Sequence, residues 1–354
     1  MTEKNNLNPL DAMTPVLTVE DLVVKFNLRG KSLTAIREAS LTLYQGESLA
    51  IVGESGSGKS VFTKSFMGLL DSNGWIDSGS IKYKDYDLAK FKSEKDWLNI
   101  RGKEIAMVFQ DPMTSLNPLK TIGNQVKEAV VKHQGLKGDE AKKAVYEILE
   151  NVGIDNPKGR YKQYPFEFSG GMRQRVVIAI AIACNPEILI CDEPTTALDV
   201  TIQAQIMELI GELQEKYKLT VVYITHDLGV VAHVADRVAV MYAGDIVEIG
   251  LSEEIFYDPR HPYTSALLAS LPQLGIKGEP LYAIKGTPPN LFKTIEGDAF
   301  AFRNEKALKI DFVERPPYFK VSETHYAKTW LMDERAPEIE RPKIIELLSE
   351  RRAK

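Results

Sequence analysis

Gly53-Glu54-Ser55-Gly56-Ser57-Gly58-Lys59-Ser60 stands between an apolar run and a helical pattern, and that setting decides how the chain is read. Before it, Leu49-Ala50-Ile51-Val52 predicts a buried strand. After it, Phe62, Phe66, Leu69 and Leu70 recur at helical spacing and predict a helix over 61–70. A G-x-x-x-x-G-K-S loop in this position has a specific chemistry. Its glycines let the backbone N–H groups of 53–60 wrap phosphates, Lys59 reaches the terminal phosphates, and the Ser60 hydroxyl holds Mg²⁺. The helix opening at Val61 adds a dipole that favours an anion. The chain is therefore expected to bind a nucleoside triphosphate.

The bulk composition narrows what that energy drives. With 354 residues there is room for one large domain and an appendage, or for two domains. Hydrophobic residues make up 44% and charged residues 26%, both ordinary for a globular chain. A net charge of −5 gives no reason to expect nucleic acid as a partner. The longest near-continuous apolar run, Val176 to Cys184, is far short of the ~20 residues a membrane span needs. Met1-Thr2-Glu3-Lys4-Asn5-Asn6 lacks the apolar core of a signal peptide. Cys184 and Cys191 both sit in apolar runs and read as buried small hydrophobes. These features predict a soluble, cytoplasmic chain unless something recruits it to a surface.

Strands are expected at Val16 to Phe26, Leu33 to Ile36, Leu41 to Tyr44, Leu49 to Val52, Ser80 to Tyr83 and Glu104 to Phe109, with a turn at Asp77-Ser78-Gly79. From Thr121 to Cys184 the pattern is helical, broken at Gly135, Gly138, Asn156-Pro157 and Pro165. Strand and helix then alternate through Ile188 to Cys191, Val200 to Tyr217 and Thr220 to Thr225. Ile202, Ile206, Leu209, Ile210 and Leu213 give the long helix one apolar face. This is an α/β core with an inserted helical segment at about 111–185. Beyond Pro259, prolines at 262, 272, 280, 288, 289, 316 and 317 punctuate a tail of different texture, so a boundary is placed near 258.

Two further stretches carry chemistry. Phe168-Ser169-Gly170-Gly171-Met172 opens a helix, and a Ser-Gly-Gly turn at a helix start is both an ordinary cap and an anion site. Ile188-Leu189-Ile190-Cys191 ends in Asp192-Glu193. An acidic residue leaving the C-terminal end of a buried strand suits a Mg²⁺ ligand, and Glu193 beside it can orient and deprotonate an attacking water.

In this order, across 16–250, the elements resemble the nucleotide-binding subunit of an ABC transporter. The resemblance implies a P-loop NTPase core of the ABC type, with an antiparallel β subdomain and an inserted α-helical subdomain. Phe26 resembles the aromatic residue that stacks on adenine, and Gln110 the glutamine that senses Mg²⁺ and water. Thr196-Ala197-Leu198-Asp199 resembles the loop that crosses the dimer interface, with Asp199 at the nucleotide. His226 resembles the switch histidine. The family arrangement implies two such domains head to tail, each ATP held between one phosphate loop and the other subunit's counterpart of Ser169-Gly170-Gly171.

Gln110-Asp111-Pro112-Met113-Thr114-Ser115-Leu116-Asn117-Pro118, Phe168 with Met172, Arg260-His261-Pro262-Tyr263-Thr264-Ser265-Ala266-Leu267-Leu268, and Gly286-Thr287-Pro288-Pro289 resemble the oligopeptide/dipeptide permease family, in particular its D-type ATPase subunit. That implies a heteromeric importer: this subunit, a second and different ATPase, two membrane permeases and an extracytoplasmic peptide-binding protein, with this chain peripheral on the cytoplasmic face of the membrane. The Arg260 to Leu268 stretch also reads plainly as a turn and an amphipathic helix. Many relatives carry cysteines in the tail that can hold an iron–sulfur cluster. Those places fall here on Asp298, Asn304, Asp311 and Thr329, which supply no thiolate, so no cluster is expected. The tail, 259–354, is then expected to be held by packing alone, through Phe300, Phe302, Phe312, Tyr318, Phe319 and Trp330.

A DNA-repair or chromosome-organising ATPase would share the loop and the carboxylates, but it inserts a long coiled coil. Only 58 residues lie between Gln110 and Ser169, without sustained heptads. Soluble translation factors carry two cassettes, and one is present. A nickel or dipeptide importer of the same family stays open, since the ATPase subunit does not touch the solute.

Overall fold

Five fully buried residues, Ser48–Val52, form the strand that delivers the chain to the phosphate loop. The computed structural model describes residues 10, 13–196, 198–271, 282–338 and 345; Met1 to Asn6, Ala197, Pro272 and Pro280 lie outside these. The described chain forms two compact units, 1–90 with 225–354, and 91–224.

In the first unit, Pro15–Leu28 pairs antiparallel with Lys31–Tyr44 on one side and with Gly74–Tyr83 on the other. The expected strands at 33–36 and 41–44 are one. Glu38 takes a left-handed φ of 51°, a bulge that interrupts the alternation without ending the strand. The expected turn at 77–79 is likewise inside a strand. Gly79 (φ 93°) passes so close to its neighbour that a Cβ there would lie 2.6 Å from Asp21 O. A second sheet region holds Ser48–Val52 parallel to Arg237–Tyr242, which pairs antiparallel with Asp245–Leu251. Tyr326–Ala327 and Phe319–Lys320, from the tail, extend the Asp245–Leu251 edge.

The tail is not held by packing alone. Phe300 and Trp330 are buried as expected, but Phe302 is 88% exposed and Phe312 is 44% exposed. Ion pairs and a buried hydrogen bond do much of the anchoring. Asp245, nearly buried, takes Lys328 at 2.7 Å and Arg315 at 2.7 Å, and Glu248 takes His325 at 2.7 Å. Charges this deep persist because they are paired and hydrogen-bonded.

In the second unit, Ile105–Val108, Ile188–Asp192 and Thr220–Thr225 run parallel, with Ile188–Asp192 in the middle. Helix Gly170–Ile182 packs on Ile105–Val108 and on helices Pro112–Ser115, Ile122–Ala129 and Gly138–Asn151. Gly138 starts a helix rather than breaking one, while the break at Asn156-Pro157 places Asn156 as the cap of Pro157–Arg160. Val200–Tyr217 forms as expected. Cys191 is fully buried; Cys184 is only partly so, although burial still pushes its thiol up to about 11. Among the described residues no helix is long and apolar enough to cross a membrane.

Candidate active site

The phosphate loop is shaped by sterics that only glycine meets. Gly53 adopts φ 153°, and a Cβ there would fall 2.2 Å from Met241 O. Gly58 adopts φ 105°, with a Cβ position 3.0 Å from Ile36 Cδ1 and 3.1 Å from Ala35 O. The loop is closed by Ser57 N donating to Glu54 O (3.2 Å) and by Gly244 N donating to Ser57 O (2.8 Å). Helix Lys59–Ser65 follows, shorter than the expected 61–70, and continues as turns. Lys59 is buried, its Nζ donating to Gly53 O (2.8 Å) and Glu54 O (3.0 Å). Ser57 Oγ is buried without a hydrogen-bond partner among the described residues. Backbone amides, a buried ammonium and an unanswered hydroxyl in one loop fit a polyphosphate, whose oxygens satisfy all three.

Around this loop lie side chains that sequence reasoning did not connect to it. Tyr263 Oη accepts from Glu54 N (2.7 Å), and the Arg303 guanidinium grips the Glu54 carboxylate at 2.6 and 3.0 Å. Tyr263 lies in the Arg260 to Leu268 stretch read as a turn and an amphipathic helix; the helix Pro262–Ala269 is there, but it is buried on most sides rather than amphipathic. Nothing in a single sequence marks contacts made across 209 and 249 positions. Pro288, Pro289 and Leu291 line a cavity of about 120 Å³ with Glu54 to Ser57.

Phe26 is a half-buried strand residue opposite Gly74 and Leu33. Gly74 makes room for its ring: a Cβ there would lie 2.5 Å from Phe26 Cε1. His226 is exposed directly after the strand ending at Thr225, and Asp227 behind it caps helix Leu228–Val234.

The second unit assembles the carboxylates. Asp192 is buried at the end of its strand. Glu193 turns the chain through a left-handed φ of 45°, while its N–H still donates to Ile224 O (2.9 Å). Such a conformation in a non-glycine residue is stored strain that points its side chain off the strand. Glu193 Oε2 accepts from Gln110 Nε2 (2.7 Å) and Thr196 Oγ1 (2.9 Å). These two donors fix the direction of the carboxylate.

Ser169 is the N-cap of Gly170–Ile182, its side chain accepting from Met172 N at 3.4 Å. Gly171 is needed there because a Cβ would lie 2.7 Å from Ile202 Cγ2. Asp199 caps Val200–Tyr217 through Ile202 N (3.1 Å), and Gln203 Nε2 ties down Thr195 O and Leu198 O. Ser169, Gly170 and Asp199 are exposed. Ser60, Asp192 and Gln110 offer oxygen donors, the class Mg²⁺ takes. That ion binds through one or two side chains with water and substrate phosphates rather than a protein cage.

The chain matches two family models: ABC transporter over residues 36–196, and the C-terminal region of oligopeptide/dipeptide transporters over 247–310. It is 60% identical to the oligopeptide transport ATP-binding protein AmiE of Streptococcus pneumoniae, covering 93% of each chain. It is 56% identical to the oligopeptide transport ATP-binding protein OppD of Bacillus subtilis, over 94% of this chain and 93% of that one. It is also 55% identical to the dipeptide transport ATP-binding protein DppD of Lactococcus lactis, over 92% and 93%. Among solved structures, the dimeric ATP-binding cassette MJ0796 in a post-hydrolysis state with ADP and Pi is 28% identical. It covers 67% of this chain and 98% of its own, with a TM-score of 0.59.

Proposed function

The chain belongs to the ATP-binding subunits of oligopeptide and dipeptide ABC transporters, and from that premise we propose how its residues divide the work of driving oligopeptide uptake. It is an ATP hydrolase whose turnover energises peptide import. The ATPase domain spans 1–258, with a helical subdomain at about 111–185, and 259–354 is an accessory region.

In that reading the amides of 53–60 and Lys59 bind the β- and γ-phosphates, and Phe26 stacks on the adenine. Ser60, Gln110 and Asp192 would hold Mg²⁺, which when bound would neutralise phosphate charge. Gln110 and Thr196 fix Glu193, which takes the proton of the attacking water as its oxygen bonds to the γ-phosphorus and the bond to the departing ADP breaks. His226 senses the γ-phosphate side of the site. Phosphoryl transfer asks mainly for such positioning and charge stabilisation. Ser169 to Gly171 and Asp199, with Ser169, Gly170 and Asp199 exposed, serve the nucleotide of a second subunit. That subunit is a different ATPase, and the pair works on two permeases and an extracytoplasmic peptide-binding protein from the cytoplasmic face of the membrane.

The observation that carries this reading is the Glu193 carboxylate, turned off its strand and held by Gln110 at 2.7 Å. Glu193→Gln is expected to keep ATP binding and to lose a factor of ~10²–10⁴ in turnover, the range for a lost general base. Wild-type turnover in that variant would remove Glu193 from the role. A dipeptide solute is the second reading, favoured by the nearly equal identities of 56% and 55% to oligopeptide and dipeptide relatives. Uptake of labelled dipeptide against labelled hexapeptide in a deletion strain separates the two.

A further inference from the structure

We propose that Arg303, in the C-terminal region, is a positioning residue for ATP binding: its guanidinium neutralises and orients Glu54, and through Glu54 fixes the seat of Lys59. The inference rests on reading 53–60 as the ATP site. Glu54 is an acidic side chain inside a loop built for an anion, and each of its polar groups is engaged. Its N–H donates to Tyr263 Oη (2.7 Å), and its carbonyl accepts from Lys59 Nζ (3.0 Å). Its two carboxylate oxygens take Arg303 Nη1 and Nη2 at 2.6 and 3.0 Å.

The arginine is the anchor of this pair, 4% exposed against 29% for Glu54. Arg303 Nε donates to Lys285 O (2.9 Å), Nη1 also reaches Tyr242 Oη (3.2 Å), and the guanidinium lies over the Tyr242 and Phe300 rings at 5.7 and 5.8 Å. A planar fork fixed on three sides sets both the charge and the direction of its carboxylate partner, which a lysine cannot do. Without it, an unneutralised carboxylate faces the polyphosphate, and the carbonyl that seats Lys59 is released.

The test uses the assembled transporter and reads KM for ATP and kcat separately. Arg303→Ala is expected to raise KM about tenfold through like-charge repulsion, with kcat within about twofold. Adding Glu54→Gln should bring KM back to within about threefold of the wild type, because the charge needing neutralisation is gone. Wild-type KM in Arg303→Ala, or no rescue in the double variant, overturns the proposal, since an arginine that only packs is not rescued at Glu54. If Arg303→Ala fails to fold, Arg303→Gln decides: a raised KM supports the neutralising role, an unchanged KM overturns it. Lys59→Ala keeps the two readings apart. ATP binding retained there sinks the nucleotide reading itself, whereas binding lost there with unchanged KM at Arg303 sinks only this inference.

Discussion

In the unit that carries residues 53–60, the phosphate loop is braced on several sides: glycines wedged against backbone, Lys59 folded onto two carbonyls, and Tyr263 and Arg303 gripping Glu54 from the tail. In the unit that carries 169–171 and 192–199, Ser169 and Asp199 are exposed and each is fixed by a single helix-cap bond. Glu193 there is held by two side-chain donors. The difference teaches what each part is built to do. In the proposed reading the first is preorganised to hold its anion alone, paying the ordering cost at folding rather than at binding. The second presents polar groups outward, which suits the proposed role of a surface completed by another chain.

The largest effect that would break this contrast is on the loop itself. Gly53→Ala, whose Cβ meets Met241 O at 2.2 Å, is expected to abolish ATP binding measured by a fluorescent nucleotide. Near-normal affinity would mean that the loop is adaptable rather than rigid.

That loop was legible in sequence because its information is local: eight contiguous residues, a strand before and a helix after. The strand 31–44 was split in two because Arg37-Glu38 breaks the apolar alternation, and only partner pairing reveals that the chain bulges and goes on. The Gln110 to Glu193 bond spans 83 positions, so no periodicity hints at it; the strand-end carboxylate pair pointed to Glu193, the family resemblance to Gln110, and the fold supplies the distance. The tail misled because aromatic content suggests packing, whereas its partners Asp245 and Glu248 lie 70 to 83 positions from Arg315, Lys328 and His325, and no local pattern pairs them.

Bracing has a cost that pH exposes. Burial holds Asp298, behind the Phe300 cluster, up to about 7, with Asp311 adding repulsion and the Phe300 N–H bond opposing. The folded chain thus keeps a proton that the unfolded chain releases near pH 4, so this group lowers stability progressively from about pH 4 to about pH 7 and no further above. Asp298→Asn should therefore gain stability over the wild type across that window by more than about 1 kcal/mol, followed by denaturant unfolding. A gap that stays constant with pH would contradict the buried, protonated carboxyl. The smallest effect belongs to the outward-facing surface: Asp199→Ala loses one cap bond and should cost about 1 kcal/mol of stability. A much larger loss would show that this loop is braced as heavily as the other.

The measurement that bears most directly on the contrast compares this chain alone with the assembled transporter, reading ATP affinity and turnover in the same preparations. The isolated chain is expected to bind ATP through its own loop but to hydrolyse it weakly, with turnover rising on assembly. Transporter-level turnover from the purified monomer would contradict the account, because the turn that exposes Ser169 and Gly170 would then have no second subunit to serve.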